Sequence, residues 1–389
     1  MVEKNRKQFL LRLLSYVLVA VLASTLTLAL WGQRYSKLTE LEKIVDKNFV
    51  GEADTGKIND AAASAMIKAL GDRWSYYISA EDYAAHVENK NNAYVGIGVT
   101  IEKRQDGTGF DIREVTPGGS AQEAGIKPGD ILVAADGASV KEMTTDELKD
   151  LIRGKEGTKL TVTVQRNEES LDFTVERREI KVKVATGELL DGNIGLVRIA
   201  NFNANCAKET IALVKDLQQQ GASKLIFDVR NNPGGYVSEM IKVLDYLLPE
   251  GVLYRSQDYK GREEVEHSDA SCIEMPMAVL VNGNSYSAAE FFAACLQEFK
   301  WATVVGERTT GKGHYQNTIR LSDGSAVNLS TGKYFTPSGA NLTELGGLTP
   351  DVLAQVDKET AANIYAQLVS TGEDPQIQAA VKFLQENKG

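Results

Sequence analysis

The stretch MAVLVNGNSYSAAE, residues 277–290, decides the fold because a buried strand runs into a helix there. Its first five residues are apolar, and the Gly and Ser residues after them mark the turn before the helix. Apolar strands of the same kind lie on both sides, and helical segments separate them. They are LVRIANF (196–202), KLIFDVR (224–230) and TVVGER (303–308). Strands that alternate with helices predict an α/β unit with a parallel sheet.

Outside this unit the sequence pattern changes in both directions. After residue 313, YQNTIRL and AVNLSTGKYF predict antiparallel strands around an Asp-Gly turn. Residues 36–91 have a helical pattern, whereas residues 94–179 alternate short apolar runs with turns around one helix, TTDELKDLIRG. The sequence therefore predicts a multidomain α/β chain. Its predicted segments are a basic tail and membrane anchor (1–33), a helical region (34–92), a β-rich domain (93–179), an α/β core with antiparallel C-terminal strands (180–357) and a C-terminal helical segment (358–389).

The charge distribution favours a membrane rather than a nucleic acid as a partner. The net charge of −10 means that the chain as a whole would repel phosphate backbones. The first twelve residues are instead basic, and the nineteen from Leu13 to Trp31 carry no charge, close to the ~20 that a membrane helix needs. We expect a single-pass anchor in the cell membrane with the bulk of the chain extracytoplasmic. If this segment is cleaved as a signal peptide, the chain is secreted.

Two motifs are similar to known catalytic motifs but lack the helix that each requires. Residues 306–313 fit the phosphate loop GxxxxGK, yet Gly313 stands where a Ser or Thr would hold magnesium, and a strand-like segment follows. Ser330 and Lys333 fit the SxxK motif of the penicillin-binding type, but Gly332 opposes a helix there. We expect no nucleotide, no cofactor and no metal.

Candidate chemical groups follow two of the predicted parallel strands, where open α/β sheets place their sites. Ser285 and Ser287 lie at a helix start whose free N–H groups stabilise negative charge, although helix capping alone would also explain these serines. Gly234 and Gly235 in DVRNNPGG allow a sharp turn with accessible N–H groups, or mark only a tight turn. The pattern predicts a nucleophile and backbone donors at one edge of the sheet.

Lys312 is the candidate general base. Glycines on both sides would let it enter a crowded cleft, and on a strand it would share a face with His314 and Gln316, whose amide could hold it. A lysine accepts a serine proton only if burial lowers its pKa well below the usual ~10.4. His314 is the rival base, and a solvated surface lysine is the alternative interpretation of Lys312.

Taken together, these motifs resemble a known family. SYSAAE, DVRNNPGG and GERTTGKGHYQ, with TGKYFTPSG and GLTPDV after them, are similar to the carboxyl-terminal processing (tail-specific) serine peptidases. The resemblance covers nearly the whole chain from Ser36 and implies a peptidase core with a crotonase-like sheet. It implies Ser287 as nucleophile, Lys312 as general base and Gln316 as the partner that orients the lysine.

The resemblance also implies an oxyanion hole and shows two departures from the family pattern. The oxyanion donors would be the N–H of Ala288 and that of Gly234 or Gly235. Tyr286 and Ala289 stand where the family usually has small residues and Ser. Neither change removes a catalytic group, although Tyr286 would reshape the subsite beside the nucleophile.

Residues 94–179 resemble a PDZ domain. GIGV, which comprises Gly96, Ile97, Gly98 and Val99, matches the carboxylate-binding loop, and GGSAQEAGIKPGDILVAADGASV matches a characteristic segment of the family. A Gly-x-Gly loop lets successive N–H groups face one anion, and an open strand edge accepts a peptide as an added strand. We expect Leu148 to line the apolar pocket of this domain.

The predicted function is therefore a membrane-anchored serine endopeptidase that cleaves proteins near their C-termini, with the PDZ domain binding the tail. Its expected partners are protein or peptide C-termini and the membrane, with no nucleic acid, and a homodimer is compatible with the sequence. The alternative is a catalytically silent binding protein whose PDZ domain tethers partners at the membrane.

Overall fold

The computed structural model describes residues 12–25 and 36–386, which belong to two compact units. The first unit ends at Leu70 and contains the helices α1 (Ser36–Asn48) and α2 (Thr55–Lys68). Asp54 caps α2, since its carboxylate accepts a hydrogen bond from the backbone N–H of Lys57 at 3.1 Å.

The predicted membrane segment, Leu13 to Trp31, is described only in part. Residues 12–25 are helical and exposed, whereas residues 26–31 lie outside the described residues. Within the described ranges, no helix combines the length and the apolar character needed to cross a membrane.

The second unit begins at Gly71 and contains the remaining helices and all the described strands. Its helices are α3 (Ala80–Lys90), α4 (Ser120–Ala124), α5 (Thr145–Ile152), α6 (Cys206–Gln219), α7 (Val237–Leu247), α8 (Ala288–Glu298), α9 (Lys358–Tyr365) and α10 (Pro375–Glu386). Its strands are β1 (Tyr76–Ile78), β2 (Ala93–Gly96), β3 (Val99–Lys103), β4 (Phe110–Val115), β5 (Ile131–Ala135), β6 (Ala138–Ser139), β7 (Lys159–Arg166), β8 (Glu169–Glu176), β9 (Arg178–Lys181), β10 (Ala185–Leu190), β11 (Ile194–Ile199), β12 (Lys224–Asp228), β13 (Gly251–Asp258), β14 (Glu263–Ser268), β15 (Met277–Val281), β16 (Ala302–Gly306), β17 (His314–Arg320), β18 (Ala326–Phe335) and β19 (Val352–Leu353).

A six-stranded sheet forms the centre of the α/β core. Its order is β10-β11-β12-β15-β16-β19, and every pair is parallel except β10 with β11. Side chains alternate along each strand, so that Leu225 and Phe227 enter a core shared with α6, α7 and α8, whereas Ile226 packs with α10 on the other face. Because both faces are buried, these strands read as continuous apolar runs, as the sequence predicts.

A second, antiparallel sheet contains β17, the strand that follows the candidate general base Lys312. It has the order β1-β18-β13-β14, with β17 also paired to β18. The short strand β1 comes from the predicted helical region 34–92, where a strand was not expected. Tyr76, Tyr77 and Ile78 pair with residues of β18 far along the chain, a long-range contact that local helical periodicity cannot reveal.

The β-rich domain has its own sheet and its own core. The sheet order is β3-β4-β5-β7-β8, with β6 paired to β5, and the helix α5 begins with a capping box between Thr144 and Glu147. β2 and β9 pair outside this sheet and bring the two ends of the domain together. Among the described strands β3 pairs only with β4, which leaves its outer edge open.

Candidate active site

The nucleophile candidate lies at the turn between β15 and α8. Ser285 is fully buried, and its hydroxyl donates to the carbonyl of Val229 at 2.7 Å and accepts from Asn282 N at 3.0 Å. Ser287 is partly exposed and has φ 59° and ψ −127°, a backbone conformation that L residues rarely adopt. The two serines therefore differ in role: Ser285 fixes the turn, and Ser287 presents its hydroxyl to a cleft at the positive end of α8.

Backbone donors for an oxyanion lie beside this turn. Gly234 N–H donates to the Asn232 side chain at 2.8 Å, so it is already engaged. The N–H groups of Gly235 and Ala288 have no partner within the described residues. Of the two glycines in the predicted oxyanion hole, Gly235 is the one with an available donor.

The paired glycines are required by close approach. A side chain at Gly234 would place its Cβ 2.8 Å from both Ser287 Cβ and Ala288 N, too near for normal contact. Gly234 also has φ +85°, in the left-handed region that glycine tolerates best. A side chain at Gly235 would collide with the backbone of Phe202, which pairs with this turn.

Glu290 connects the nucleophile turn to the loop that carries the base. One carboxylate oxygen accepts from Ser287 N at 3.1 Å and from Lys312 N at 2.8 Å. The other accepts from Gly311 N at 2.9 Å and from the Thr309 hydroxyl at 2.7 Å. The side chain is fully buried, and burial raises the pKa of Glu290 although these four hydrogen bonds oppose the rise. One buried carboxylate therefore fixes the backbone on both sides of the cleft.

Lys312 is buried at the floor of the same cleft, with 8% of its surface exposed. Burial lowers its pKa to about 8, and the positive charges of Lys90 and Arg73 act in the same direction. The carboxylates of Asp72 and Glu290 oppose this shift. A substantial fraction of Lys312 is therefore a neutral amine near pH 8, as a general base requires.

The Lys312 amine faces two aromatic rings. Its Nζ lies 4.6 Å from the ring centre of Trp74 and 5.8 Å from that of Tyr286, and the two rings are 5.4 Å apart. Trp74 belongs to the aromatic loop, residues 71–75, which precedes β1. Tyr286 thus supplies one ring of the pair that contacts the lysine.

The predicted contact between Gln316 and Lys312 is absent from the hydrogen bonds of the described residues. Gln316 Nε2 donates to the Ser330 hydroxyl at 3.1 Å and to the His314 carbonyl at 3.0 Å. A register shift between Tyr315 and Gln316 interrupts the strand alternation on which the prediction relied. Gln316 still lines the cleft with Lys312, whereas His314 does not.

The cleft that contains these groups has a volume of ≈ 530 Å³. Its walls come from the aromatic loop, the end of α3, the glycine turn, the nucleophile turn and β17. Six Trp or Tyr residues and three Lys or Arg residues line it, and no Asp or Glu is among the described residues of the lining. The lining includes Arg73, Trp74, Tyr83, Lys90, Asn203, Gly234, Gly235, Tyr236, Tyr286, Ser287, Lys312, Tyr315 and Gln316.

A separate groove of ≈ 240 Å³ lies in the β-rich domain, between the open edge of β3 and α5. Ile97, Gly98 and Val99 line it, as expected, whereas Gly96 lies in β2 and pairs with Arg178. Leu148 is fully buried in the core of the domain and does not line the groove.

In place of Leu148, the groove is lined on its α5 side by Lys149 and Ile152 and by Arg153, which follows the helix. The apolar periodicity of α5 identifies the inward half of the helix but not the narrower strip that borders the groove. Arg153 is 5.0 Å from the ring centre of Tyr94 and gives the groove a cation.

Glu290 is the residue of the site that the sequence reasoning missed. A signal for it was present, because an acidic residue three positions after a serine at a helix start is a capping-box pattern. That pattern predicts the contact with Ser287 N–H. It does not predict the contacts with Gly311 and Lys312, which come from a different strand connection.

Comparisons with known proteins agree with this architecture. Residues 193–354 match the model of peptidase family S41, and residues 112–166 match that of a PDZ domain. Carboxy-terminal processing protease CtpA of Bacillus subtilis is 33% identical over 366 residues, which cover 89% of this chain and 78% of that protein. A CtpA-like serine protease of Staphylococcus aureus is 30% identical over 380 residues, covering 93% and 75%.

A solved structure has a similar fold. It is a Bacteroides fragilis protein assigned to the S41 proteases, with 17% identity, a TM-score of 0.52, and coverage of 83% of this chain and 90% of that one. The fold, the two family matches and the relatives at 30% identity or more lead to one assignment. The chain belongs to peptidase family S41, as a carboxy-terminal processing serine protease with a PDZ domain.

Proposed function

We propose that Ser287 and Lys312 form the catalytic dyad of this protease. Neutral Lys312 takes the hydroxyl proton as Ser287 Oγ attacks the carbonyl carbon of the scissile peptide bond. The Lys312 ammonium then gives that proton to the leaving amine nitrogen as the C–N bond breaks. A water molecule, deprotonated in turn by Lys312, then attacks the carbonyl carbon of the resulting ester. The bond from that carbon to Ser287 Oγ breaks, the Lys312 ammonium returns the proton to Oγ, and the new C-terminus is released.

The observation that carries this proposal is the shared cleft of Ser287 and a buried Lys312 with a pKa of about 8. A buried lysine without a carboxylate at ion-pair distance loses much of its preference for the charged form. No ion pair of Lys312 is present within the described residues. The proposed proton transfer requires Nζ to turn from the Trp74 and Tyr286 rings towards Ser287 Oγ.

In this mechanism the oxyanion of the tetrahedral intermediate accepts from Gly235 N–H and Ala288 N–H. Both donors are backbone groups held by the surrounding turns, so they need little reorganisation when charge develops. The positive end of α8 favours the same negative charge. Gln316 acts as a positioning residue for the lysine from its bond to Ser330.

We assign tail recognition to the groove between β3 and α5. A substrate C-terminus would extend the sheet along the open edge of β3, with its carboxylate near Gly98 and Arg153 and an apolar terminal side chain against Ile97 and Ile152. The matching PDZ family and the open strand edge support this assignment.

We propose that residues 13–31 anchor the protein in the cell membrane, with the catalytic part extracytoplasmic. The uncharged run and the basic residues before it support this topology. The chain should fractionate with membranes, and external protease should digest its bulk in cells stripped of their wall. An intact chain in the cytosolic fraction would contradict the topology but not the chemistry.

The proposed function is tested by mass spectrometry of proteins incubated with the enzyme or with Ser287→Ala. We expect fragments shortened at their C-termini with the wild type and none with the variant. Cleavage that persists in Ser287→Ala would overturn the proposed nucleophile.

A further inference from the structure

Within the described residues, one corner of the catalytic cleft contains a cation without a carboxylate partner and an acceptor without a donor, and the proposed mechanism uses neither. Lys90 is the last residue of α3, and Asn203 follows Phe202 in the loop after β11. Both line the cleft with Ser287. We call this feature the Lys90–Asn203 corner.

Backbone contacts attach this corner to the oxyanion turn. Phe202 N donates to the Gly234 carbonyl at 2.8 Å, and Tyr236 N donates to the Phe202 carbonyl at 2.8 Å. On the other side, Asn203 Nδ2 donates to the Asn89 carbonyl at 3.1 Å, and Ala204 N donates to the Lys90 carbonyl at 3.1 Å. A continuous set of hydrogen bonds therefore fixes the corner beside the reacting centre.

Asn203 has an acceptor without a donor. Its side chain is almost completely buried, at 5% exposure, and its Oδ1 has no hydrogen-bond partner within the described residues. The bond from Nδ2 to Asn89 determines which side-chain atom is the oxygen. A buried acceptor without a partner is costly, and Asn203 lines the cleft, so Oδ1 is an acceptor that a donor entering the cleft would satisfy.

Lys90 has a charge without a counter-charge. Its Nζ lies 5.8 Å from the ring centre of Tyr236, and burial lowers its pKa. Within the described residues no carboxylate forms an ion pair with it, and the cleft lining contains no Asp or Glu. Its charge also lowers the pKa of His86 and of Lys312, so it acts across the cleft. A helix-end lysine that served only the dipole of α3 would not need to lie inside the cleft.

We propose that the Lys90–Asn203 corner is a substrate subsite that binds a carboxylate through Lys90 and a peptide N–H through Asn203. The substrates are then peptides with an acidic side chain, or their own C-terminal carboxylate, a short distance from the scissile bond. The net positive cleft in a protein of net charge −10 fits this class. The inference rests on the proposed peptidase function for the identity of the ligand as a peptide.

The test measures kcat/KM for quenched peptides that carry Glu or Gln at each position in turn, all with an amidated C-terminus. A second pair compares free and amidated C-termini on one sequence, and it is repeated in Arg153→Ala to separate any effect of the PDZ groove. We expect roughly a fivefold to tenfold preference for a carboxylate at one position in the wild type. A preference for Glu over Gln identifies an acidic side chain as the ligand, and a preference for the free over the amidated C-terminus identifies the terminal carboxylate.

Variants of Lys90 connect this preference to the corner. Lys90→Gln should abolish the preference and Lys90→Arg should retain it. The matched control Lys141→Gln removes the same charge from an exposed position in the PDZ domain and should leave it unchanged. Equal preference in wild type and Lys90→Gln, or no carboxylate preference at any position, would overturn the proposal.

The second ligand group has its own measurement. N-methylation of one peptide nitrogen near the preferred carboxylate should weaken wild-type kcat/KM by roughly tenfold, and Asn203→Ala should lose this sensitivity. If every N-methylated peptide affects wild type and Asn203→Ala equally, Asn203 is not a substrate acceptor. Thermal unfolding of each variant confirms that it is folded.

Binding to a Ser287→Ala background separates this inference from the peptidase proposal. Fluorescence anisotropy of the same Glu and Gln peptides needs no turnover, so the carboxylate preference and its loss in Lys90→Gln remain measurable. Turnover that persists in Ser287→Ala would contradict the proposed nucleophile. A missing preference in the anisotropy data would contradict the subsite.

Discussion

The catalytic cleft and the PDZ groove both contain a glycine turn, but they are constructed in opposite ways. In the cleft, Ser287 is held in a rare backbone conformation, and Glu290 accepts four hydrogen bonds from the surrounding segments. In the groove, β3 has an open edge, and Gly98 lies at φ +79°. Among the described residues around Gly98, no buried carboxylate joins the surrounding segments as Glu290 does in the cleft.

The difference follows from what each site has to do. Catalysis depends on fixed positions of nucleophile, base and oxyanion donors, and a small misplacement lowers the rate steeply. Tail binding depends on backbone pairing along an open edge, which tolerates many sequences. Changes in the cleft should therefore act on kcat by large factors, and changes in the groove should act on affinity by small ones.

The largest effect is expected at the dyad. Ser287→Ala and Lys312→Ala should each lower kcat by roughly 10⁴-fold or more, and the double variant should be scarcely worse, because the two groups act as a unit. Steady-state kinetics on a quenched peptide measures all three. Losses that multiply in the double variant would show that the residues act independently.

The next largest effect is expected at Glu290, whose buried carboxylate fixes the backbone on both sides of the cleft. Glu290→Gln removes acceptor capacity facing Ser287, Gly311 and Lys312, so kcat should fall by roughly 10²-fold with KM nearly unchanged. Unfolding in urea should show a loss of about 1–3 kcal/mol for the buried groups left without partners.

A matched control for Glu290 lies on the same helix, α8. Glu298 is exposed near the end of α8, where its carboxylate accepts from Ser338, and Glu298→Gln should change kcat by less than about twofold. If Glu290→Gln keeps wild-type kcat while the protein is folded, the cleft does not depend on this fixed geometry.

Substitution of Gln316 should lower kcat less than substitution of Ser287, Lys312 or Glu290. Since its amide bonds to Ser330 rather than to Lys312, Gln316→Ala should lower kcat by roughly tenfold, through less precise positioning of the lysine. The readout is the pH profile, whose midpoint should move if Gln316 affects the lysine. A loss as large as that of Lys312→Ala would make Gln316 a direct participant in catalysis.

The smallest effect is expected in the groove. Amidation of a peptide C-terminus, or Arg153→Ala, should weaken binding to the PDZ domain by about threefold to tenfold, because charge-assisted contacts are lost. Calorimetry with a Ser287→Ala enzyme measures this without cleavage. Equal affinity for free and amidated tails would mean that the groove does not read a terminal carboxylate.

What the sequence could predict depends on how far apart the interacting residues are in the chain. The run from Met277 to Val281 predicts its own strand, because burial on both faces gives a local apolar signature. The glycine motifs likewise indicate their turns. The rare backbone conformation of Ser287 has no local signature in the sequence. It occurs where Ser287 lies close to Gly234, which is distant in the chain, and donates its N–H to Glu290.

The errors in the site have the same origin. Leu148 and Ile152 repeat at helical spacing, so the pattern alone could not decide which one borders the groove. Gln316 was expected on the face of Lys312, but the bulge at Tyr315 changes the alternation. The Lys90–Asn203 corner joins residues from two distant segments, and only the folded chain shows that both enter the cleft.

The central claim is that buried Lys312 is the base for Ser287, and covalent labelling of Ser287 against pH tests it most directly. A serine-directed phosphonate should react faster as pH rises, with a midpoint of about 8, because the neutral amine forms as the lowered pKa of Lys312 is passed. Lys312→Ala should abolish this rise, and His314→Ala should retain it. A folded Lys312→Ala enzyme that labels at the wild-type rate with the same midpoint, or a midpoint lost only in His314→Ala, would contradict the account.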